Sequence, residues 1–194
     1  MGGAGKTTLL KHLAAWWHTT GFVRRIFYFG YDEKAHTLQQ IMTDIAQQLF
    51  GPRYYLDFEP LSLKVKQAML AQHLRSENHL LILDNLESIT GAHLAIQHTL
   101  PPEEQKALRS FLTDLVQGRT LVLLGSRGSE DWLAKQTFDK NIYDLPGLDD
   151  EAATTLADRI LKENNATKYR EDEAENQNLR KLIKVLDGFP WQWR

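Results

Sequence analysis

The residues with the most specific chemistry stand at the start of the chain: Met1-Gly2-Gly3-Ala4-Gly5-Lys6-Thr7-Thr8. Gly5, Lys6 and Thr7 match the second half of the pattern G-x-x-x-x-G-K-S/T. In that pattern backbone N–H groups cradle phosphates, Lys reaches the β/γ-phosphates and Ser/Thr holds Mg²⁺. Glycines let the backbone approach the phosphates, and the following helix turns its positive N-terminus toward them. Gly2, Gly3, Ala4, Gly5, Lys6, Thr7 and Thr8 are therefore assigned to binding the phosphates of ATP or ADP. The simpler alternative, a chance glycine-rich helix start, is weakened by the amphipathic run that follows.

Two further positions join them. Asp84 closes the run Leu80-Leu81-Ile82-Leu83, which reads as a strand buried on both faces. An acid there, downstream of a phosphate-binding loop, is placed to hold Mg²⁺ together with Thr7; by itself it could equally cap a turn. Arg127 follows a second apolar strand, Thr120 to Leu124, and its guanidinium suits a γ-phosphate. Its alternative is a surface pair with Glu130 or Asp131. Asn85 occupies the place where many related ATPases carry an acid that activates water, and an amide cannot accept that proton. Either Glu87 supplies the base or hydrolysis is slow, and slow hydrolysis is the favoured reading. Lys6, Asp84, Glu87 and Arg127 form the candidate catalytic set. His93 and His98 lack metal-ligand spacing, and Trp16-Trp17 reads as helix packing.

The elements that must position these groups follow from periodicity. Helices are expected from Gly5 to about Thr20, over Thr37 to Phe50, Leu61 to Leu74, Pro101 to about Gln117, Asp149 to about Asn164, and Leu179 to Leu186. A short helix is expected from Ser129. Strands are expected over Val23 to Phe29, Leu80 to Asp84, Thr120 to Leu124 and Ile142 to Leu145. Gly51 to Pro60, Glu87 to Leu100 and Lys168 to Gln177 read as loops. Strands alternating with helices imply an α/β fold with a parallel sheet covered on both faces. Ligands of such sheets bind at the carboxyl ends of the strands, where Asp84 and Arg127 fall.

The bulk numbers limit the alternatives. A net charge of −2 over 194 residues gives no general electrostatic reason to expect nucleic acid or an anionic membrane. No apolar run approaches the ~20 residues that span a bilayer. The chain has no cysteine, which excludes disulfides and thiolate metal sites and fits a cytoplasmic protein.

Together these residues resemble the NB-ARC domains, within the STAND class of signalling P-loop ATPases, which are AAA-like. Gly2 to Leu9 is similar to that family's loop, which reads G-M-G-G-x-G-K-T-T-L. Leu80 to Asn85 resembles its Walker B strand. Leu121 to Arg127, followed by Trp132-Leu133, resembles its sensor strand, with Arg127 as the γ-phosphate sensor. Tyr143 to Asp149 resembles the junction to its helical region. Leu186-Asp187-Gly188-Phe189-Pro190 resembles its G-x-P motif, whose Pro190 would pack near the adenine.

The resemblance implies a three-layer α/β sandwich over 1–147, lacking its first strand, and the beginning of a helical lid over 148–194. It implies a nucleotide switch that holds ADP at rest, exchanges it for ATP and self-associates through the ATPase domain of a longer parent. An active AAA-like motor and an inactive truncated product are the alternatives.

Both ends read as cut. The loop's first glycine would precede Met1, and a preceding strand would lie beside the one ending at Leu124. If that strand buries about four large apolar side chains, at ~1.5–3 kcal/mol each, its loss removes roughly 6–12 kcal/mol. A domain's total stability is ~5–15 kcal/mol, so the isolated chain is expected to be unstable. The tail Pro190-Trp191-Gln192-Trp193-Arg194 replaces the family's small aliphatic continuation. One base lost from a C run would convert Pro-Leu-Ala-Val-Ala codons into this tail.

Overall fold

The continuous apolar run Leu80–Asp84 becomes the middle strand of a three-stranded sheet, and every one of its residues is buried. The computed structural model describes residues 5–91, 99–128, 130–133 and 141–185. In it β1 (Ile26–Gly30), β2 (Leu80–Asp84) and β3 (Leu121–Leu124) pair in parallel in the order β1-β2-β3. The register sets Tyr28 against Ile82, Gly30 against Asp84, and Ile82 against Leu123.

Alternation divides the two faces of the sheet. Leu80 and Ile82 pack with Ile26, Leu123 and residues Leu10, Ala14 and Trp17 of α1 (Lys6–Thr19). Phe27, Phe29, Leu81 and Leu83 point the other way, into the larger core. That core is completed by α2 (Leu38–Phe50), α3 (Leu63–Ser76) and α5 (Pro102–Asp114). Helices on both faces of a parallel sheet make the expected α/β sandwich. Among the described residues β3 pairs only with β2, and its side chains are partly exposed where those of β2 are buried.

Local chemistry explains the helix starts. Thr37 caps α2: its hydroxyl accepts from the Gln40 N–H at 3.3 Å, and Gln40 Oε1 accepts from the Thr37 N–H at 3.1 Å. Pro102 opens α5, with Glu103 and Glu104 in its first turn.

Several expectations need correction. Gly51 to Pro60 is not an open loop: Gly51–Arg53 is a 3₁₀ turn and Tyr54–Phe58 a π-helical turn. The four-residue spacing lets Tyr54 and Phe58 both enter the core, with their rings 5.7 Å apart. The loop expected from Glu87 instead begins with a short helix, α4 (Glu87–Thr90). Residues 142–149 form no strand, and Ile142 and Tyr143 are exposed, so their β-favouring composition finds no partner strand among the described residues. The helix expected from Ser129 falls largely outside the described residues.

The chain divides into two units, residues 10–142 and a second made of residues 143–185 with the first residues of α1. Within the second, α6 (Asp150–Glu163) is capped by Asp149, whose Oδ1 accepts from the Ala152 N–H at 2.7 Å. Then α7 (Glu173–Val185) begins six residues before the expected Leu179. The missed signal is Asp172, whose Oδ1 accepts from the N–H groups of Ala174 at 2.8 Å and Glu175 at 3.3 Å. Leu179 and Ile183 pack on Ala153 and Ala157.

Candidate nucleotide site

Lys6, Thr7 and Thr8 form the first turn of α1, as the motif requires. Gly5, at φ +82°, delivers the chain into the helix in a conformation that favours glycine, and its carbonyl accepts the first helical hydrogen bond, from Leu9 N–H at 2.8 Å. The first turn holds no acidic residue. Its positive end is thus not neutralised from within the helix, as an anion site needs. Gly2, Gly3, Ala4 and Pro190 lie outside the described residues.

Asp84 ends β2 on the face that α1 covers, since it continues the Leu80–Ile82 alternation. It is buried. Its carboxylate is oriented from two sides: the Tyr28 hydroxyl donates to Oδ2 at 3.0 Å, and the Asn85 N–H donates to Oδ1 at 3.0 Å. Burial, then the bond to Asp84, pushes the Tyr28 phenol well above the ordinary tyrosine range, so it stays a donor. Tyr28 was not legible as a site residue, although period-two alternation and the sheet register put it on Asp84's face.

Gly125 was missed as well. Its N–H donates to the Leu83 carbonyl at 2.8 Å, and its carbonyl accepts from the Leu86 N–H at 2.9 Å. This carries the β2–β3 ladder past Asp84 and draws the two backbones together. A Cβ on Gly125 would overlap Asp84 Oδ1 and come within 3.1 Å of Leu10 Cδ1. The signal available was a lone glycine directly after an apolar strand.

Asn85 sits at φ 58°. Asn tolerates the left-handed region better than longer side chains do, which supplies a backbone reason for an amide at this position.

Glu87 and Arg127 are brought together. Glu87 opens α4 and is buried. Its Oε1 lies 2.9 Å from Arg127 Nε, off the hydrogen-bond direction, and its Oε2 accepts from the Arg127 backbone N–H at 3.2 Å. Arg127 is therefore not paired with Glu130, which instead accepts from the Ser126 hydroxyl and, at 2.9 Å, from the Trp132 indole N–H. The Arg127 side chain remains 46% exposed, so its outer nitrogens keep a route to a ligand.

The donor set fits Mg²⁺, a hard cation that takes one or two protein oxygens and completes its shell with phosphate and water. The Asp84 carboxylate is an oxygen donor of that kind, and its two hydrogen bonds hold it in one orientation. Among the described residues there is no cluster of three or more His or acidic groups that would form a self-contained metal cage. No helix of the described residues is long and apolar enough to cross a membrane.

A parallel sheet with helices on both faces, a glycine-lysine-threonine helix start and an acid at the end of the central strand define a P-loop NTPase-type α/β domain. A family model described as AAA domain matches residues 2–133. The chain belongs to that family, and is an AAA-like P-loop domain of the nucleotide-binding ATPases. No curated protein matches the chain.

Proposed function

We propose that this chain is the nucleotide switch of a larger signalling ATPase of the NB-ARC and STAND type, binding ADP and ATP with Mg²⁺ and hydrolysing ATP slowly. Residues 1–147 form the nucleotide-binding part and 148–194 the start of a helical lid, carrying Pro190 toward the adenine. Lys6 and the amides of Gly2 to Thr8 bind the phosphates, and Thr7 and Asp84 hold Mg²⁺. The ion, when bound, screens phosphate charge; the chain's own groups do the rest. Tyr28 and the Asn85 amide keep Asp84 oriented, and Asn85 offers no base. The parent is read as cytoplasmic and self-associating through this domain.

The observation that carries the reading is the Glu87–Arg127 pair. A motor needs an acid free to polarise water. Here the acid closest in sequence to the Asp84–Asn85 corner is spent on holding the sensor arginine. Such a contact suits a switch, in which Arg127 exchanges one anionic partner for another when the γ-phosphate arrives.

The test compares nucleotide exchange with single-turnover hydrolysis in the same preparation. Hydrolysis slower than exchange, and changed less than tenfold by Glu87→Gln, supports the switch. A loss of the ~10²–10⁴-fold size expected for a general base would establish the motor instead.

A further inference from the structure

A second site lies at the opposite ends of the strands. Arg24-Arg25 immediately precede β1, and His79 immediately precedes β2. The backbone there is tied together: Arg24 N–H donates to the Asn78 carbonyl at 2.7 Å, Leu80 N–H to the Arg25 carbonyl at 2.9 Å, and Leu121 N–H to the His79 carbonyl at 2.9 Å. On this frame opens a cleft of about 610 Å³, whose polar lining includes His18, Arg24, Arg25, His73, Glu77 and His79. Its size falls within the ~300–1,000 Å³ typical of small-molecule sites. Five steps along β2, at ~3.3 Å each, lead from His79 to Asp84, so the cleft is distinct from the nucleotide site.

His79 is the informative residue. It is only 3% exposed, yet both of its ring nitrogens are buried and make no hydrogen bond among the described residues. Buried polar atoms are nearly always paired, and an orphan calls for an explanation, a bound ion being one. The ring is held in place rather than loose: it stacks on His73 with centroids 6.0 Å apart and leans on Phe27 at 5.6 Å.

The surroundings define what that ligand is. Glu77, the only acid among the described residues that line the cleft, is neutralised by an ion pair with Arg24. No carboxylate among the described residues pairs with Arg25. Burial is the largest cause that acts against a proton on His79; His73, Arg25 and Arg24 add to it and Glu77 opposes them. The potential there is net positive, the condition an anion relieves. Ile26 and Leu49 give the cleft an apolar wall for the body of the molecule.

We propose that this cleft binds a small phosphate-bearing anion, held by Arg25 and by one ring N–H of His79. A guanidinium with an imidazole N–H donor is a phosphate-binding combination, and partners approaching from two strand ends fix the orientation of the group. The proposal stands apart from the nucleotide reading, because it uses none of the P-loop residues.

The test uses the full chain carrying Lys6→Ala, without Mg²⁺, to suppress phosphate binding at the first site. Inorganic pyrophosphate is titrated while the ring Cε1–H signals of His79 and His73 are followed by NMR. A saturable shift of His79 is expected, weakened about tenfold or more by Arg25→Glu and within about twofold of the parent in Arg53→Glu, an exposed control. Arg25 is exposed, so its replacement leaves the core intact. No saturable His79 shift by about 10 mM, well beyond the ~1 mM scale of weak sites, would overturn the proposal. So would unchanged affinity in Arg25→Glu, or tighter binding of citrate than of pyrophosphate.

Discussion

Arg127 illustrates how one side chain depends on its partner. Truncating it to Ala leaves the buried Glu87 carboxylate without its counter-charge. Breaking a fully buried pair costs ~3–5 kcal/mol. Arg127 is about half exposed, so a smaller loss, about 1–2 kcal/mol, is expected in the urea midpoint of Arg127→Ala. Glu87→Gln removes the charge together with the need for its partner and should cost less. Lys6→Ala belongs to the same scale. It should weaken ATP and ADP binding by at least about tenfold, measured with a fluorescent nucleotide, while leaving the melting temperature near that of the parent. Asn85 carries a backbone burden: at φ 58°, Asn85→Val should cost ~1–2 kcal/mol by the same urea measurement, and Asn85→Gly little.

At the level of elements, the β2–β3 corner decides whether Asp84 is presented at all. Gly125 is pinned by hydrogen bonds to Leu83 and Leu86 and cannot retreat when a methyl group is added. Gly125→Ala is therefore expected to lose about 1–3 kcal/mol, the range of an overpacked site, and to displace the Asp84 carboxylate. Denaturant unfolding reads the first effect. Loss of the Mg²⁺ dependence of nucleotide binding reads the second. The neighbouring helices rest on ordinary caps: Thr37→Ala removes half of a reciprocal capping box and should cost about 1 kcal/mol, with the helical signal retained. The aromatic turn after α2 behaves differently. Its residues lack the apolar spacing of a long helix, and it is ordered by the burial of Tyr54 and Phe58.

For the whole molecule, two histidines link stability to pH. His79 and His36 both lie below the ordinary histidine range, burial being the largest cause in each. Around His79, His73, Arg25 and Arg24 add to burial while Glu77 opposes it; around His36, Lys34 adds and Asp44 opposes. As pH falls through about 6.5 the unfolded chain takes up these protons first. It then binds more protons than the folded chain, so stability declines with falling pH. The melting temperature should fall between about pH 7.5 and 5.5, and His79→Phe should flatten that slope. A slope unchanged by His79→Phe and by the matching His36 variant would show that other groups govern it.

Much of this was legible in the residues because it depends on local rules. A glycine-lysine-threonine start before an amphipathic run names phosphate as the ligand, since backbone amides at a helix start are an anion site whatever packs behind them. A four-residue apolar run ending in Asp84 names a central strand, since only burial on both faces tolerates it. The partners of these groups were not legible, because they join residues far apart in the chain. Tyr28 meets Asp84 across 56 positions, and Glu87 meets the Arg127 backbone across 40. Proximity along the chain offered Glu130 or Asp131 as the alternative partners of Arg127, but Glu130 accepts from Ser126 and Trp132 instead. The orphaned imidazole of His79 likewise exists only once two strand ends and a helix end enclose it. Sequence alone determined the class of ligand and the alternation of elements, through spacing and local hydrogen bonding. Tertiary structure decided which acid holds the arginine, which hydroxyl orients the aspartate and where a positive cleft opens, because those follow from sheet register and packing.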